Sequence, residues 1–239
     1  MPNPYFRFKQ FTVYHDRCAM KITTDACLFG AWCATEIQNE TIKISRLLEI
    51  GTGTGLLSVM IAQKNDLSID AVEIDAEASE QARENAGSSP WQNRIHIIHE
   101  DIRNFQSTQG YDVIVSNPPF YENEISSQQA SKNLAHHSSE LKLSELFWMI
   151  KNNLAGTGFF FLLLPYKRQK ELEKLLEQHR LFVYKKVVVH QSTAHDPFRI
   201  MLMGGQNVAA THQSTIAIRE GKEYTQDFIQ LLRDYYLYL

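Results

Sequence analysis

From about Arg46 onward, short apolar runs alternate with longer amphipathic stretches along the chain. This alternation is typical of βαβ units, in which helices connect the strands of a mostly parallel sheet. The predicted strands lie near 46–51, 69–74, 94–99, 111–116, 158–164, 182–189 and 198–203, and the predicted helices near 55–65, 76–87, 141–153 and 167–179. The pattern therefore predicts an α/β protein with a Rossmann-like, mostly parallel seven-stranded sheet and helices on both faces.

Shorter segments flank this core. Alternating apolar residues at Phe6, Phe8, Phe11 and Val13 predict a strand or hairpin near the start of the chain. A chain of 239 residues is long enough for one domain with a substantial core, and we expect a single domain. The expected parts are an N-terminal extension (1–45) with a helix over 26–35 capped by Thr23-Thr24-Asp25, a core (46–205), and a C-terminal part (206–239) with a strand at 214–219 and a helix at 224–236.

The apolar strand 111–116 is followed directly by Asn117-Pro118-Pro119-Phe120. Each proline fixes its own φ and biases the preceding residue toward an extended backbone, so this tetrapeptide is stiff and presents carbonyl groups. Asn117 Oδ1 and the Pro118 carbonyl are placed to accept both hydrogens of an exocyclic amine, while Phe120 stacks on the attached ring. Such contacts would direct the nitrogen lone pair toward an electrophile. Asn-Pro also opens ordinary turns, so the tetrapeptide by itself does not distinguish an amine-binding site from a turn after a strand.

A glycine-rich loop, Glu49-Ile50-Gly51-Thr52-Gly53-Thr54-Gly55, follows the first core strand and precedes a predicted helix, as a nucleotide-binding loop requires. Leu56 stands in place of the third glycine of the dinucleotide fingerprint, which disfavours nicotinamide and flavin cofactors. Glu73, with Asp75 as the alternative, is placed to bind both ribose hydroxyls, and Asp101 to accept from an adenine amine. S-adenosyl-L-methionine has adenine and ribose without a pyrophosphate, and it carries an electrophilic methyl group.

Composition limits the classes of partner. The formal net charge of −3 argues against a non-specific nucleic-acid binder. The basic cluster between Lys167 and Lys186 is a candidate RNA-binding patch, but it fits a solvated amphipathic helix at least as well. No apolar stretch approaches the ~20 residues of a membrane span, and the start lacks a signal-peptide core, so we expect a cytoplasmic protein without a membrane partner. Cys18, Cys27 and Cys33 contain no C-x-x-C pair; we expect reduced structural thiols and no metal.

Taken together, these motifs resemble the class I S-adenosylmethionine-dependent methyltransferases that carry an Asn-Pro-Pro-aromatic motif, from about Phe8 to the C-terminus. Within this class the chain looks most like the bacterial tRNA1(Val) adenine-37 N6-methyltransferases, on the basis of segment 21–32 and of Asp196-Pro197-Phe198-Arg199-Ile200. The resemblance implies the class I methyltransferase fold. It also implies roles for particular residues. The cofactor is bound by Glu49, Gly51, Gly53, Gly55, Glu73 and Asp101, and Thr24 and Asp25 lie near its methionine end. Asn117, which also borders the cofactor, holds the target adenine with Pro118, Pro119 and Phe120; the family often has Tyr at the position of Phe120, so Tyr121 is the alternative stacking ring.

Two other methyltransferase classes share the tetrapeptide. Release-factor glutamine methyltransferases and ribosomal RNA guanine-N2 methyltransferases usually carry a further domain before the catalytic one, whereas 48 residues precede Glu49 here. A cofactor-binding module without catalysis is a third alternative.

The favoured partner is the anticodon loop of a tRNA, where splaying out a base costs less free energy than in a duplex. A monomer is the favoured oligomeric state. Candidate RNA contacts are Arg7, Lys9, Arg17, Arg199 and the 167–186 cluster. Loop 117–140 is a candidate substrate lid. His136-His137 are interpreted as ordinary loop histidines.

Overall fold

The computed structural model describes residues 3–118 and 141–239. Its strands are β1 (Tyr5–Arg7), β2 (Thr12–Tyr14), β3 (Arg46–Ile50), β4 (Ser68–Glu73), β5 (Ile95–His99), β6 (Tyr111–Ser116), β7 (Leu154–Pro165), β8 (Phe182–Ser192), β9 (Pro197–Gly205), β10 (His212–Glu220) and β11 (Glu223–Tyr224). Its α-helices are α1 (Thr24–Asn39), α2 (Leu56–Lys64), α3 (Ala76–Gly87), α4 (Leu143–Asn153), α5 (Gln169–His179) and α6 (Gln226–Leu232). Two short 3-10 turns cover Gln92–Arg94 and Tyr166–Arg168.

Strands β3 to β11 form one sheet in the order β5-β4-β3-β6-β7-β9-β8-β10-β11. Strands β5, β4, β3, β6 and β7 are parallel to one another, and β9 runs antiparallel between β7 and β8. All seven predicted core strands are present, and the predicted α/β, Rossmann-like fold is confirmed, but the sheet has nine strands in the described residues rather than the predicted seven. β10 extends the sheet by pairing in parallel with β8, and β11 adds a short antiparallel edge.

Helices cover both faces of the sheet, as the sequence predicts. The core on one face includes residues of α1, α2 and α6 and of the β1–β2 hairpin. On the other face the core includes residues of α4 and α5. Because the central strands β3 and β6 are buried on both sides, they are nearly continuous apolar runs rather than alternating ones.

Helix boundaries differ most from the predictions in α1 and α6, whereas α4 and α5 each begin two residues later than predicted. Helix α1 begins at Thr24 rather than 26, because the Thr23 hydroxyl accepts a hydrogen bond from the Ala26 amide, and it continues to Asn39. The predicted helix over 224–236 is wrong at both ends, because α6 covers only Gln226–Leu232. The chain reverses at Gly221 (φ 59°), and Tyr224 belongs to β11. The Thr225 hydroxyl then caps α6 by accepting from the Phe228 amide.

The β1–β2 hairpin, which the alternating aromatic residues predict, packs against the C-terminal residues. Phe8 forms an isolated bridge with Tyr236, and the Lys9 amide donates to the Tyr235 carbonyl at 2.8 Å. The Tyr235 hydroxyl in turn donates to the Met60 carbonyl of α2 at 3.0 Å. The two ends of the described chain therefore close over the same side of the sheet.

The three cysteines are buried and unpaired, as predicted, and burial raises the pKa of the Cys18 thiol to about 11. Within residues 3–118 and 141–239, no helix is both long and apolar enough to cross a membrane. The same ranges contain no group of three or more His, Cys, Asp or Glu residues arranged to hold a metal ion.

Candidate functional site

The predicted site residues follow β3, β4, β5 and β6 at one edge of the sheet. Ile50 of β3 lies in register with Val72 of β4 and with Ser116 of β6, and Glu73 lies in register with His99 of β5. Because these parallel strands end together, the glycine loop, Glu73, Asp101 and Asn117 are brought to the same edge. This is the edge where open α/β sheets bind their ligands.

The glycine loop takes a backbone conformation that favours glycine at three positions. Gly51, Gly53 and Gly55 have φ values of 71°, 54° and 78°. Apart from the adjacent residues in the chain, no atom of residues 3–118 and 141–239 lies within 4 Å of the position that a Cβ would take on Gly51 or on Gly53, so this part of the chain leaves the space beside both glycines open. The loop can therefore be approached closely along its backbone, as a bound nucleoside requires, and a side chain at either position would occupy that space.

The Glu73 carboxylate holds the glycine loop in place. Its Oε2 accepts from the Gly53 amide at 2.8 Å and its Oε1 from the Asp75 amide at 3.0 Å. Each oxygen keeps a further lone pair for a ligand hydroxyl. Asp75, the alternative predicted from sequence, caps α3 by accepting from the Ala78 amide at 2.8 Å. Glu73 stays the predicted ribose ligand, and the alternative Asp75 serves as the cap of α3.

Asp101 follows β5 and is paired with Arg103. The guanidinium Nη2 lies 2.6 Å from Asp101 Oδ2, and Nε donates to both oxygens at 2.9 Å. This hydrogen bonding holds the pKa of the Asp101 carboxyl below its usual range. Asp101 is thus an ionised acceptor in a fixed orientation, which suits recognition of an exocyclic amine.

Asn117 follows β6 at the level where Gly51 follows β3. Its side chain is half-buried, the adjacent Pro118 is buried, and the Ser116 hydroxyl donates to the Ile50 carbonyl at 2.8 Å, which ties β6 to the start of the glycine loop. Residues 119–140 lie outside the described residues. The predictions for Pro119, Phe120, His136-His137 and the part of the candidate lid beyond Pro118 therefore stay predictions.

Thr24 and Asp25 lie at the start of α1, farther along the same edge. Asp25 Oδ2 accepts from Arg199 Nε at 2.9 Å, which fixes the start of α1 to β9. Thr24 and Asp25 line a cavity of about 460 Å³ together with residues at the ends of β8 and β10, including Ser192 and Arg219. The structure thus places these two residues beside the far strands of the sheet, and their role at the methionine end of a cofactor stays a prediction.

Comparisons with known proteins identify the family. Residues 33–180 match the family model for the methyltransferase small domain. The chain is 37% identical to a protein of Phocaeicola vulgatus named tRNA1(Val) (adenine(37)-N6)-methyltransferase, over 99% of both chains, and 38% identical to a protein of Dyadobacter fermentans with the same name, over 98% of both. The chain belongs to this methyltransferase family. The resemblance that its motifs indicate is therefore confirmed.

Solved structures similar to this methyltransferase share its fold. A predicted O-methyltransferase from Agrobacterium tumefaciens superposes with a TM-score of 0.64 at 13% identity, covering 87% of this chain and 95% of that one. The glycopeptide N-methyltransferase MtfA, complexed with (S)-adenosyl-L-methionine, gives a TM-score of 0.55 at 12% identity, covering 75% of this chain and 88% of that one. At these identities the likeness shows the fold, and the predicted methyltransferase fold is confirmed.

Glu49, which the resemblance assigns to the cofactor, is buried in this methyltransferase, with 1% of its surface exposed. Burial raises the pKa of its carboxyl to about 7, although hydrogen bonding to the Ser58 hydroxyl acts in the opposite direction. In the described structure Glu49 therefore connects β3 to α2 beneath the glycine loop.

This burial predicts a pH dependence of stability. The folded protein holds the Glu49 proton up to about pH 7, whereas the unfolded chain releases it near pH 4.5. The free energy of unfolding should therefore fall by about 3 kcal/mol between these values because of this group. Urea unfolding across this pH range should show the decline in the wild type and in the control Glu77→Gln, and much less of it in Glu49→Gln. Equal pH slopes in all three proteins would contradict the assignment.

Sequence reasoning missed two polar residues on the inner face of α3. Asn85 Oδ1 accepts from the Tyr14 amide at 2.9 Å, and Asn85 Nδ2 donates to the Tyr14 and Thr54 carbonyls at 2.8 and 2.9 Å. Gln81 donates to Asp16 at 2.7 Å. These bonds hold segment 14–17 against α3 and the glycine loop. Their position could have indicated this role, because Gln81 and Asn85 stand among alanines on the side of α3 that faces the core.

Asn85→Ala should loosen this segment. The substitution leaves one amide and two carbonyls without their partner, so we expect the free energy of unfolding to fall by about 3 kcal/mol. Cleavage by trypsin after Arg17 should become faster. In the control Asn39→Ala, an exposed residue at the end of α1, stability should change by no more than about 0.5 kcal/mol. If the two variants are equally stable, the Asn85 contacts do not fix the segment.

Proposed function

We propose that this protein transfers the methyl group of S-adenosyl-L-methionine to the N6 amine of an adenine in tRNA, and that adenine-37 of tRNA1(Val) is the target. The observation that carries the proposal is the position of Asn117 next to a glycine loop whose Gly51 and Gly53 face space that the described residues leave open. Full-length relatives named tRNA1(Val) (adenine(37)-N6)-methyltransferase support the choice of substrate.

The residues at the sheet edge fit this cofactor. The backbone of Gly51 and Gly53 would lie against it, Glu73 would accept from both ribose hydroxyls, and Asp101 would accept from the adenine amine. When bound, S-adenosyl-L-methionine supplies an electrophilic methyl group on a sulfonium sulfur. No metal takes part in this chemistry, so a chelator should leave the rate unchanged once the tRNA is folded.

Asn117 and Pro118 would do most of their work by orienting the target. Asn117 Oδ1 and the Pro118 carbonyl accept the two hydrogens of the adenine amine, which directs the nitrogen lone pair toward the methyl group. Methyl transfer to this nitrogen would break the carbon–sulfur bond of the cofactor, and the methylated nitrogen would then release a proton to solvent. Since that proton becomes acidic only after methyl transfer, no strong base is required, and catalysis comes from proximity and alignment.

The proposal also covers the organisation of the protein. We infer one domain over residues 1–239, because the central sheet continues without interruption from the parallel core through β10 to β11. A monomer acting on tRNA in the cytoplasm fits this organisation.

Incubation with methyl-labelled S-adenosyl-L-methionine and tRNA that lacks the modification tests the proposal. Nucleoside mass spectrometry should find labelled N6-methyladenosine, and nuclease mapping should place it beside the anticodon of tRNA1(Val). Label in a polypeptide instead would favour the glutamine methyltransferase class, and labelled N2-methylguanosine would favour the ribosomal RNA class. Binding of the cofactor without transfer to any substrate would indicate a non-catalytic module.

A further inference from the structure

The cavity beside Thr24 and Asp25 lies at the same sheet edge as Asn117. This Arg219 cavity, of about 460 Å³, is lined by Thr24, Ser192, His195, Phe198, Ile218 and Arg219, among other residues. Its volume is typical of a small-ligand site. Phe198 and Ile218 provide apolar surface, whereas hydroxyl and imidazole groups provide hydrogen-bonding partners. This combination suits a flat ring with polar edges.

The guanidinium of Arg219 is exposed and held in a fixed plane. It stacks on the Tyr224 ring at 4.3 Å from the ring centroid, and its Nη1 donates to the Lys222 carbonyl at 2.5 Å. Within residues 3–118 and 141–239, no carboxylate forms an ion pair with Arg219, whereas Arg103 and Arg199 are paired with aspartates. An arginine with a fixed plane and free N–H donors matches the geometry of a phosphate group.

The acidic residue that lines the Arg219 cavity is already neutralised. Asp25 is paired with Arg199 at 2.9 Å, and its side chain is 12% exposed. Among the described residues that line this cavity, the charge that remains available to a ligand is therefore the positive charge of Arg219. An anionic ligand is favoured, although the whole chain has a net charge of −3.

The Arg219 cavity is close enough to Asn117 for one RNA segment to reach both. Arg219 and Ile218 belong to β10, and four strand-to-strand steps separate β6 from β10 through β7, β9 and β8. At about 4.8 Å per step, this separation is about 19 Å along the edge of the sheet. A nucleotide a short distance along the strand from the target adenine would therefore lie over the cavity.

We propose that the Arg219 cavity binds a nucleotide of the RNA substrate near the target adenine, with its phosphate on Arg219 and its base or ribose against Phe198 and Ile218. The inference rests on the proposed function and assigns a second contact to the same substrate. The site would thus distinguish a polynucleotide from a free adenine nucleoside.

Arg219→Ala tests this assignment through RNA affinity. The KM for tRNA should rise about tenfold, because a charge-assisted contact to phosphate is lost, while the KM for S-adenosyl-L-methionine and kcat at saturating tRNA should not change. The slope of log Kd against log salt should also decrease in magnitude by about 0.7, since one phosphate contact is removed. Arg219→Lys should recover part of the affinity. The control Arg83→Ala removes the same charge from the exposed face of α3, where Arg83 pairs with Glu80, and should retain wild-type affinity.

A second variant leaves the Arg219 contacts to Lys222 and Tyr224 intact. Gln191 is exposed and lines the cavity, so Gln191→Glu places a negative charge beside the phosphate and should also raise the KM for tRNA. Gln230→Glu, on the exposed side of α6, is its control. If the wild type forms N6-methyladenosine and both cavity variants bind tRNA as tightly as their controls, the cavity assignment is wrong and the proposed function stands. If the wild type forms none, the proposed function fails, and the RNA assignment of the cavity fails with it.

Discussion

We expect Asn117→Ala to lower kcat by about 10²–10³-fold while the Kd for S-adenosyl-L-methionine changes by less than about threefold. Loss of one preorganised hydrogen-bonding group from an active site has an effect of this size on kcat. Without the Asn117 amide oxygen, one hydrogen of the target amine has no acceptor and the lone pair is no longer aligned. Single-turnover methylation of tRNA measures the first quantity, and calorimetric titration with the cofactor measures the second.

Asn152→Ala is the matched control for Asn117→Ala. Asn152 is exposed on α4, and its side chain donates to the Trp148 carbonyl of the same helix at 2.7 Å. Its substitution removes the same atoms from the surface and should leave the single-turnover rate unchanged. Near-wild-type turnover in Asn117→Ala would exclude the amine-orienting role.

Glu73→Ala should have the largest effect on cofactor binding. The carboxylate both accepts from the Gly53 amide and is positioned to accept from two ribose hydroxyls. Each hydrogen bond to a charged group contributes about 1.5–3 kcal/mol, so the loss of the two ribose bonds predicts a Kd for S-adenosyl-L-methionine at least about 100-fold higher. Calorimetric titration of the two proteins measures this change.

Glu77→Ala controls for the removed charge. Glu77 is exposed in the first turn of α3, close to Glu73 in sequence but outside the predicted contacts. Its substitution should alter the Kd for the cofactor by no more than about threefold. A similarly small change in Glu73→Ala would exclude Glu73 as the ribose ligand.

The parallel core was predictable because its signals are local. Strands such as β3 and β6 are short apolar runs bounded by polar residues or glycine, and their order along the chain determines which residues reach the carboxyl edge. The pairing of β10 with β8 was harder to predict. A periodic pattern indicates that a segment is a strand but not which strand it pairs with.

Side-chain partners within the site were harder to predict than the site residues themselves. The glycines, Glu73 and Asp101 stand at strand ends, where the fold class alone suggests a role. Pairing of Asp101 with Arg103 depends instead on a local turn and on rotamers. Burial of Glu49 follows from the central place of β3, because an acid in a strand covered on both faces has no route to solvent.

The closure of the β1–β2 hairpin on the C-terminal residues has a consequence for synthesis on the ribosome. Lys9 and Arg233, which are in contact, are 224 positions apart. At 5–20 residues per second, roughly 10–45 s separate the emergence of these two segments. During that time Phe8, Phe11 and Val13 lack the surface that Tyr235 and Tyr236 later provide. Asn85 also ties Tyr14 of the same hairpin to Thr54 of the glycine loop, so the packing of the hairpin beside this loop is completed only at the end of translation.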